Sequence, residues 1–386
     1  MDRRDFLRSS LAAGAAASLW TGLPAQAQAS GSPKSPQDPQ GINKAVVLMG
    51  DDVPHYGRDQ VAHLDDILAR KDKFRDSYLR HGAVEELEAR FAALLGKQDA
   101  AFMPTGTLAN QVAIRLLCGE KRRAIVQQES HVYMDESDAV STLSDINLLP
   151  IAPGKATPTM AEFDAALKVS DDAVYPMPVG AISIESPVRR ADGAFVPLDV
   201  IQGVAERAKA KGIGMHLDGA RLLLNSGAPG FDVKSYSAPF DTVYVSLYKY
   251  LGAPFGAILA GSKEMIEKAR ATRHIFGGTI AQGWMSAAFA LDALDGFQDR
   301  FARVRAAGDA LLDGLARLDG YTVQRVPHGT NIHFLQVSEA RQAGLQERLK
   351  KSGVMVGGLR DNRLMLTFNE SLLRKPTPEV VRAFAG

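Results

Sequence analysis

The chain has 386 residues, a length that suggests roughly two or three domains. Apolar residues make up 46% and charged residues 23%, which is typical of a soluble globular protein and excludes a disordered or fibrous chain. Lys and Arg number 45 against 44 Asp and Glu, so no basic excess favours a nucleic-acid partner. A single cysteine, Cys118, excludes an internal disulfide and a multi-thiolate metal site, and we expect no metal.

The first 27 residues have the order of an export signal. Arg3 and Arg4 precede an apolar run of small residues at 11–20, and 24–29 offers A-x-A cleavage sites. The twin arginine resembles a Tat signal, and the Tat machinery generally carries proteins that have already folded. The apolar run is too short to span a membrane, so we expect a periplasmic protein without a stable membrane anchor. The alternative is a cytoplasmic protein with an amphipathic N-terminal helix.

Polar, proline-containing residues at 28–43 predict a disordered linker, and the body begins at Lys44. Up to residue 275, short apolar strands alternate with helices, which predicts an α/β domain with a mostly parallel sheet covered on both faces. From 276 to 386, we expect connecting helices followed by a smaller α+β domain. The predicted strands are 100–103, 124–126, 147–149, 181–184, 214–217, 242–246, 322–326, 332–337 and 364–367.

Three polar features follow predicted strands, where the carboxyl ends of a parallel sheet form a ligand crevice. The first is Thr105-Gly106-Thr107, which opens a helix. Free backbone N–H groups and the positive end of the helix dipole suit a phosphate there. An ordinary threonine N-cap has the same sequence, so this turn alone does not decide between the two.

The second feature is Asp218, which ends a predicted strand. A carboxylate at that edge favours the protonated form of a cofactor's ring nitrogen, because opposite charges stabilise each other. The alternative is a turn aspartate that pairs with Arg221.

The third feature is Lys249, between an apolar strand and the glycine-rich turn that ends at Gly256. A partly buried lysine loses solvation, its pKa falls, and its amine becomes a candidate for attack on an aldehyde. Together, a phosphate turn, a carboxylate for a ring nitrogen and a lysine for an aldehyde are the three fixings of pyridoxal 5'-phosphate.

Four stretches then carry a family resemblance over residues 45–370. They are GAVEELEARFAALLGKQDAAFMPTGTLANQ, HLDGARLLLNSGA, VSLYKYLGAPFGAILAGS and RHIFGGTIAQGWMSAA, in this order. The chain resembles the low-specificity threonine aldolase and β-eliminating lyase family of pyridoxal-phosphate enzymes. The resemblance implies the aspartate-aminotransferase-like fold (fold type I), with a large α/β domain and a small C-terminal domain.

The resemblance also implies roles for the cofactor-binding residues. Thr105, Gly106 and Thr107 form the turn that holds the phosphate, and Lys249 carries the cofactor covalently. Asp218 pairs with the pyridine nitrogen.

Three further residues receive roles from the resemblance. His131 matches the histidine that stacks on the cofactor and acts as a candidate base, although a structural histidine is the alternative. Arg221 lies near the ring hydroxyl or binds the substrate carboxylate. Arg363 matches a late arginine that grips the same carboxylate, for which a planar guanidinium is suited, and the alternative is a strand-edge arginine.

The sequence departs from the family at several positions around the cofactor. Tyr248 and Tyr250 flank Lys249, where the family has serine and glycine. Ala281 stands where the family has an arginine, and Tyr78 is followed by Leu-Arg-His-Gly instead of Gly-Glu-Asp-Pro. These positions surround the cofactor and substrate, so the departures leave both a different substrate and a different reaction open.

The resemblance implies cleavage of a β-hydroxy-α-amino acid to glycine and an aldehyde, in a homodimer or homotetramer. The alternatives are β-elimination to a keto acid and ammonia, and a non-catalytic protein that binds pyridoxal phosphate or an amino acid. The combination of Lys249, Asp218 and the phosphate turn favours an enzyme, because a binder does not need the lysine nucleophile.

Overall fold

The computed structural model describes residues 41–53, 55–71, 74–172 and 174–386. The predicted signal peptide and residues 28–40 of the predicted linker lie outside these ranges. Within them, no helix combines the length and apolar character required to cross a lipid bilayer.

A seven-stranded sheet forms the centre of the molecule. Its strands are β2 (Asp99–Met103), β3 (Arg123–Gln127), β4 (Asn147–Ile151), β5 (Val179–Glu185), β6 (Gly214–Asp218), β7 (Thr242–Ser246) and β8 (Ala257–Gly261). Their order is β2-β8-β7-β6-β5-β3-β4. Strands β5, β7 and β8 are buried along their whole length, as expected for a sheet covered on both faces.

The sheet is parallel from β4 to β7 and antiparallel at β8. Strand β8 pairs antiparallel with both β7 and β2, so β2 runs in the same direction as β7. The expected mostly parallel sheet is confirmed. Strand β8 was not among the predicted strands, because the glycine-rich turn before it and its small residues gave no strand pattern.

Helices cover the central sheet and continue to the C-terminal part of the described chain. They are α1 (Gly57–Arg70), α2 (Gly82–Leu95), α3 (Gly106–Cys118), α4 (His131–Met134), α5 (Ala139–Ser144), α6 (Met160–Asp171), α7 (Leu198–Ala210), α8 (Val233–Ser237), α9 (Lys263–Ile275), α10 (Trp284–Leu294), α11 (Phe297–Leu315), α12 (Glu339–Gln342), α13 (Leu345–Lys351) and α14 (Thr377–Ala385).

Helix α2 shows how the sequence pattern becomes packing. Val84, Leu87, Phe91 and Leu95 recur at helical spacing and are fully buried, each contributing about 1.5–3 kcal/mol by leaving water. Gly96 ends the helix in the left-handed conformation, with φ of 66°, which glycine adopts without steric cost.

A smaller antiparallel sheet lies in the C-terminal part, in the order β12 (Arg363–Thr367), β10 (Ile332–Val337) and β9 (Tyr321–Arg325). Two short strands, β1 (Val46–Val47) and β11 (Val354–Met355), pair in parallel beside it. Val47 N–H donates to Ser371 Oγ at 2.8 Å, and Asn369 Nδ2 donates to the carbonyl oxygen of Val47 at 3.0 Å. The beginning of the body is therefore bound to residues more than 300 positions later, while the domain boundary at 275/276 stays a prediction.

Candidate active site

The functional side chains gather at one edge of the seven-stranded sheet. His131 follows β3, Glu185 and Asp218 end β5 and β6, and Lys249 follows β7. Strand β8 is antiparallel to both β7 and β2, so β2 runs in the same direction as β7. The turn after β2 therefore lies at the same edge of the sheet. This is where ligands bind in open α/β sheets.

A cavity of about 380 Å³ opens at this edge. It brings together all but one of the predicted site residues, and Glu136, Glu185, Tyr244, Tyr248 and Phe255 join them in its lining. The predicted residues that line it are Thr105, Gly106, Thr107, His131, Asp218, Arg221 and Lys249.

The N-terminus of α3 forms one side of the cavity. Thr105 is the N-cap, and its Oγ1 accepts a hydrogen bond from Leu108 N–H at 3.1 Å, so the N-cap interpretation is correct for the side chain. The backbone N–H groups of Gly106 and Thr107 still open the helix at the cavity, where they suit an anion. A Cβ on Gly106 would lie 2.0 Å from Tyr244 Oη, so this position has room only for glycine.

Asp218 is buried, with 2% of its surface exposed. Its Oδ2 accepts a hydrogen bond from Asn110 Nδ2 at 2.9 Å, and its Oδ1 accepts one from Ala220 N–H at 3.1 Å. Asn110 Oδ1 lies 2.9 Å from Nε2 of His216, whose pKa burial lowers to about 4. His216 is therefore neutral, and it fixes the amide that orients Asp218.

His131 belongs to the same hydrogen-bond network. Its Nδ1 lies 3.0 Å from Glu136 Oε1, which also accepts a hydrogen bond from Asn110 Nδ2 at 2.9 Å. The hydrogen bond to Glu136 raises the pKa of His131, because the carboxylate stabilises the imidazolium. Nε2 of His131 has no hydrogen-bond partner among the described residues, and Glu136 Oε2 is buried without one.

Glu185 adds a third carboxyl group to the cavity. It accepts hydrogen bonds from the backbone N–H of His131 at 2.6 Å and of Arg189 at 2.9 Å. Burial and the nearby charge of Asp218 raise the pKa of Glu185 to about 7. This carboxyl group therefore changes charge near neutral pH.

Lys249 is partly buried at the cavity wall, with Nζ 5.8 Å from the centre of the Tyr248 ring. Burial, followed by the charge of Arg221, lowers the pKa of Lys249. A larger fraction of the amine is then neutral and nucleophilic, as the sequence pattern predicts.

Arg221 pairs with Asp51 and not with Asp218, so the predicted alternative of an Asp218–Arg221 turn pair is wrong. Its Nε donates to Asp51 Oδ2 at 2.6 Å, and Asn331 Nδ2 donates to the other oxygen of that carboxylate at 3.2 Å. The terminal nitrogens of Arg221 make no hydrogen bond among the described residues and remain for a ligand.

The structure does not bring Arg363 into the cavity. Its guanidinium lies 4.0 Å from the centre of the Phe334 ring, and Nη1 is 3.5 Å from Gln324 Oε1. Together with Gly50, these residues line a separate cavity of about 780 Å³. The role of Arg363 at the substrate carboxylate stays a prediction.

The departures from the family pattern have different surroundings. Tyr248 is 47% exposed and lines the active-site cavity, whereas Tyr250 is buried against Phe297. The carbonyl oxygen of Ala281 accepts a hydrogen bond from Tyr78 N–H at 2.8 Å, outside the cavity lining. Of these, Tyr248 is the one that lines the active-site cavity.

The sequence of this chain matches two known families. The sequence pattern of the beta-eliminating lyase family matches residues 47–340, and that of the Tat signal sequence matches residues 1–20. The chain belongs to the beta-eliminating lyase family. The protein is therefore a pyridoxal-phosphate-dependent lyase. Its sequence also carries a Tat-type signal sequence.

Several curated relatives of this beta-eliminating lyase are named as threonine aldolases, and one is named as an alanine racemase. The chain is 30% identical to the probable low-specificity L-threonine aldolase 2 of Arabidopsis thaliana, covering 68% of this chain and 75% of the relative. It is 30% identical to the low specificity L-threonine aldolase of Escherichia coli K12, covering 73% and 82%. A putative L-allo-threonine aldolase of Listeria monocytogenes has the same fold, with a TM-score of 0.74, 24% identity and coverage of 89% and 97%.

The cavity of this lyase fits pyridoxal phosphate. The first N–H groups of α3 suit its phosphate, the buried Asp218 suits its ring nitrogen, and the amine of Lys249 suits its aldehyde. Glu136 Oε2, buried and without a partner, leaves a further acceptor at the same site.

Proposed function

We propose that the protein cleaves the Cα–Cβ bond of a β-hydroxy-α-amino acid to give glycine and an aldehyde. The observation that carries the proposal is the cavity in which Lys249, Asp218 and the N-terminus of α3 meet beside His131 and Arg221. The threonine aldolase names of the relatives support the same reaction.

The chain's own residues would hold the cofactor at three points. Gly106 and Thr107 bind the phosphate through their backbone N–H groups, Asp218 holds the ring nitrogen protonated, and Lys249 binds the aldehyde. When bound, pyridoxal phosphate supplies an electron-withdrawing ring that stabilises negative charge on the substrate Cα. Asn110 and His216 keep Asp218 in place through the hydrogen bonds described above.

Arg221 would bind the substrate carboxylate with its terminal nitrogens. Asp51 holds the guanidinium through Nε, so the fork of Nη1 and Nη2 is positioned before substrate binds. Two parallel hydrogen bonds from a planar guanidinium fix the orientation of a carboxylate. Arg363 is the second candidate, from the resemblance alone.

His131, or a water molecule that it positions, would accept the proton of the β-hydroxyl group. Glu136 binds Nδ1 and supports the positive charge that His131 gains through Nε2. When the hydroxyl proton leaves, the Cα–Cβ bond breaks, its electron pair moves towards Cα, and the β-carbon becomes the aldehyde. A proton then adds to Cα and completes glycine.

The test is product analysis with threonine, allo-threonine, phenylserine and serine. We expect glycine and an aldehyde in equal amounts from the substrates that react, and no product from the Lys249→Ala variant. Keto acid and ammonia without glycine would overturn the aldol reaction in favour of β-elimination. No product from any of the four, with the cofactor bound, would leave the binding protein as the interpretation.

We further propose that the mature protein acts in the periplasm as a homodimer or homotetramer. The Tat-type signal supports export. Light scattering of the purified protein tests the assembly, and a monomeric mass would contradict it.

A further inference from the structure

A second cavity, of about 530 Å³, lies between the central sheet and the small antiparallel sheet. It shares no lining residue with the active-site cavity. Its lining includes the rings of Phe195 and Phe231 and the polar side chains of Arg305, His328 and His333. Its volume is within the range of small-molecule sites.

Hydrogen bonds link the segment around Phe195 to the segment around His328 at this cavity. Phe195 N–H donates to the carbonyl oxygen of His328 at 2.9 Å, and Thr330 Oγ1 donates to the carbonyl oxygen of Gly193 at 3.1 Å. The cavity is therefore formed before any ligand binds, which reduces the ordering cost of binding.

Arg305, on α11, lines this cavity and has no ion-pair partner among the described residues. Its Nη2 donates to Asn225 Oδ1 at 3.1 Å and to the carbonyl oxygen of Gly329 at 3.5 Å, its Nε is buried without a partner, and no ion pair links it to a described carboxylate. The nearest acid on the same helix, Asp309, is held by Arg325 at 2.6 Å. A cation that is partly desolvated and unpaired favours an anion beside it.

His333 supplies a second donor. Its Nδ1 accepts a hydrogen bond from Val326 N–H at 3.4 Å, which leaves Nε2 as the protonated nitrogen of a neutral ring. Burial, followed by the charge of Arg325, lowers the pKa of His333 to about 4, in agreement with the neutral state. The single carboxylate in the lining, Asp232, is engaged as the N-cap of α8, where Ser235 N–H donates to it at 2.8 Å.

Part of the cavity lining is aromatic. The rings of Phe195 and Phe231 meet edge to face with centres 5.4 Å apart, and Tyr236 packs 4.2 Å from Phe195. The hydroxyl of Tyr236 donates to the carbonyl oxygen of Val196 at 2.7 Å and lies 2.7 Å from Ser186 Oγ, and neither of these residues lines the cavity. This part of the lining therefore presents ring surfaces, which suit a planar apolar group.

We propose that this cavity binds a small carboxylate that carries an aromatic ring. The carboxylate lies against Arg305 Nη1 and His333 Nε2, and the ring lies against Phe195 and Phe231. An unpaired guanidinium and aromatic rings in one lining suit both parts of such a molecule, whereas a simple anion or a neutral arene contacts only one of the two.

The probe is 3-phenylpropionate, with binding to the purified holoenzyme measured by isothermal titration calorimetry. Acetate tests the carboxylate alone, and 3-phenylpropan-1-ol tests the ring alone. We expect 3-phenylpropionate to bind at least tenfold more tightly than either fragment. Equal binding of the propanol and the propionate would overturn the role of Arg305.

Variants locate the site. Arg305→Gln should weaken 3-phenylpropionate binding by roughly 10- to 150-fold, the usual effect of losing charge-assisted hydrogen bonds. Arg303→Gln, an exposed position on the same helix, is the matched control and should bind as the wild type does. Phe231→Leu removes one ring without removing charge, so weakened binding there supports the site even if Arg305→Gln fails to fold.

Arg221→Gln separates this cavity from the active site. The proposal expects that variant to keep the 3-phenylpropionate affinity of the wild type at the second cavity. Binding that is lost in Arg221→Gln and retained in Arg305→Gln and Phe231→Leu would assign the probe to the active site and overturn the proposal.

Discussion

At the residue scale, two partly buried lysines have lowered pKa values, and only one of them lies at the active site. Burial lowers the pKa of both Lys97 and Lys249, but only Lys249 lines the active-site cavity. Borohydride reduction of the holoenzyme, followed by peptide mapping, should label Lys249 and abolish activity. Lys97 is the matched control, and a label there would contradict the assignment.

The two candidate arginines make different predictions. Arg221 lines the cavity and Arg363 lies on Phe334 outside it, so we expect the larger effect in Arg221→Lys. Loss of the two-pronged geometry should raise KM by roughly 10- to 150-fold, because a charge-assisted hydrogen bond contributes about 1.5–3 kcal/mol. Steady-state kinetics of both variants check this expectation, and a larger KM increase in Arg363→Lys would transfer the role to Arg363.

Glu185 gives a pH-dependent prediction. Its pKa is raised to about 7 in the folded protein, so its contribution to stability is present below about pH 4.5 and is lost as pH rises through 7. The free energy of unfolding of Glu185→Gln, measured by urea titration of the cofactor-free protein, should therefore improve relative to wild type between pH 5 and pH 8.

Glu264→Gln is the control for this experiment. Ion pairing with Lys268 lowers the pKa of Glu264, so its protonation changes below this pH window. A difference between Glu185→Gln and wild type that stays constant from pH 5 to pH 8 would contradict the raised pKa.

Several cavity residues could be predicted from the sequence, because each directly follows or ends an apolar strand. Lys249, Asp218 and the turn at Thr105 are of this kind. Glu185 also ends a strand, and the same rule would have found it. Glu136 and Asn110 were missed because their contacts depend on how α3 packs against the sheet: Asn110 reaches Asp218 across 108 positions.

At the element scale, the start of α3 depends on a residue without a side chain. Gly106→Ala would place its Cβ 2.0 Å from Tyr244 Oη, so either Tyr244 or the helix must move. Such overpacking costs about 1–3 kcal/mol of stability. We expect a lower melting temperature and weaker pyridoxal phosphate binding in a titration of the cofactor-free protein.

Gly57→Ala is the matched control for Gly106→Ala. Gly57 is also the first residue of a helix, and a Cβ there meets no atom within 4 Å. Equal cofactor affinity in Gly106→Ala and wild type would show that the phosphate does not depend on this turn.

Most strands and helices were predictable, whereas strand β8 and its antiparallel direction were not. Apolar runs predicted β5, β6 and β7 because buried parallel strands are apolar throughout. Strand β8 follows directly after the turn at Gly256, and its antiparallel pairing is set by its neighbours β7 and β2. The connecting helices predicted after residue 275 are α10 and α11, and Gly296 separates them.

At the scale of the whole molecule, the Tat-type signal predicts export of a folded enzyme. Changing both Arg3 and Arg4 to lysine should retain the protein in the cytoplasm, folded and loaded with its cofactor. Cell fractionation and the absorbance of the retained protein measure this outcome. Arg8→Lys leaves the twin arginine intact and serves as the control, and an unchanged periplasmic yield of the double variant would contradict Tat export.

The pairing of β1 with β11 has a consequence for the timing of synthesis. Val47 binds Ser371, 324 positions later, so β1 has no partner until the ribosome has made nearly all of the described chain. At about 5–20 residues per second, that interval lasts roughly 15–65 s. The hydrogen bonds of β1 therefore close only after Ser371 has been made, and a transporter that accepts folded proteins would have to wait for this closure.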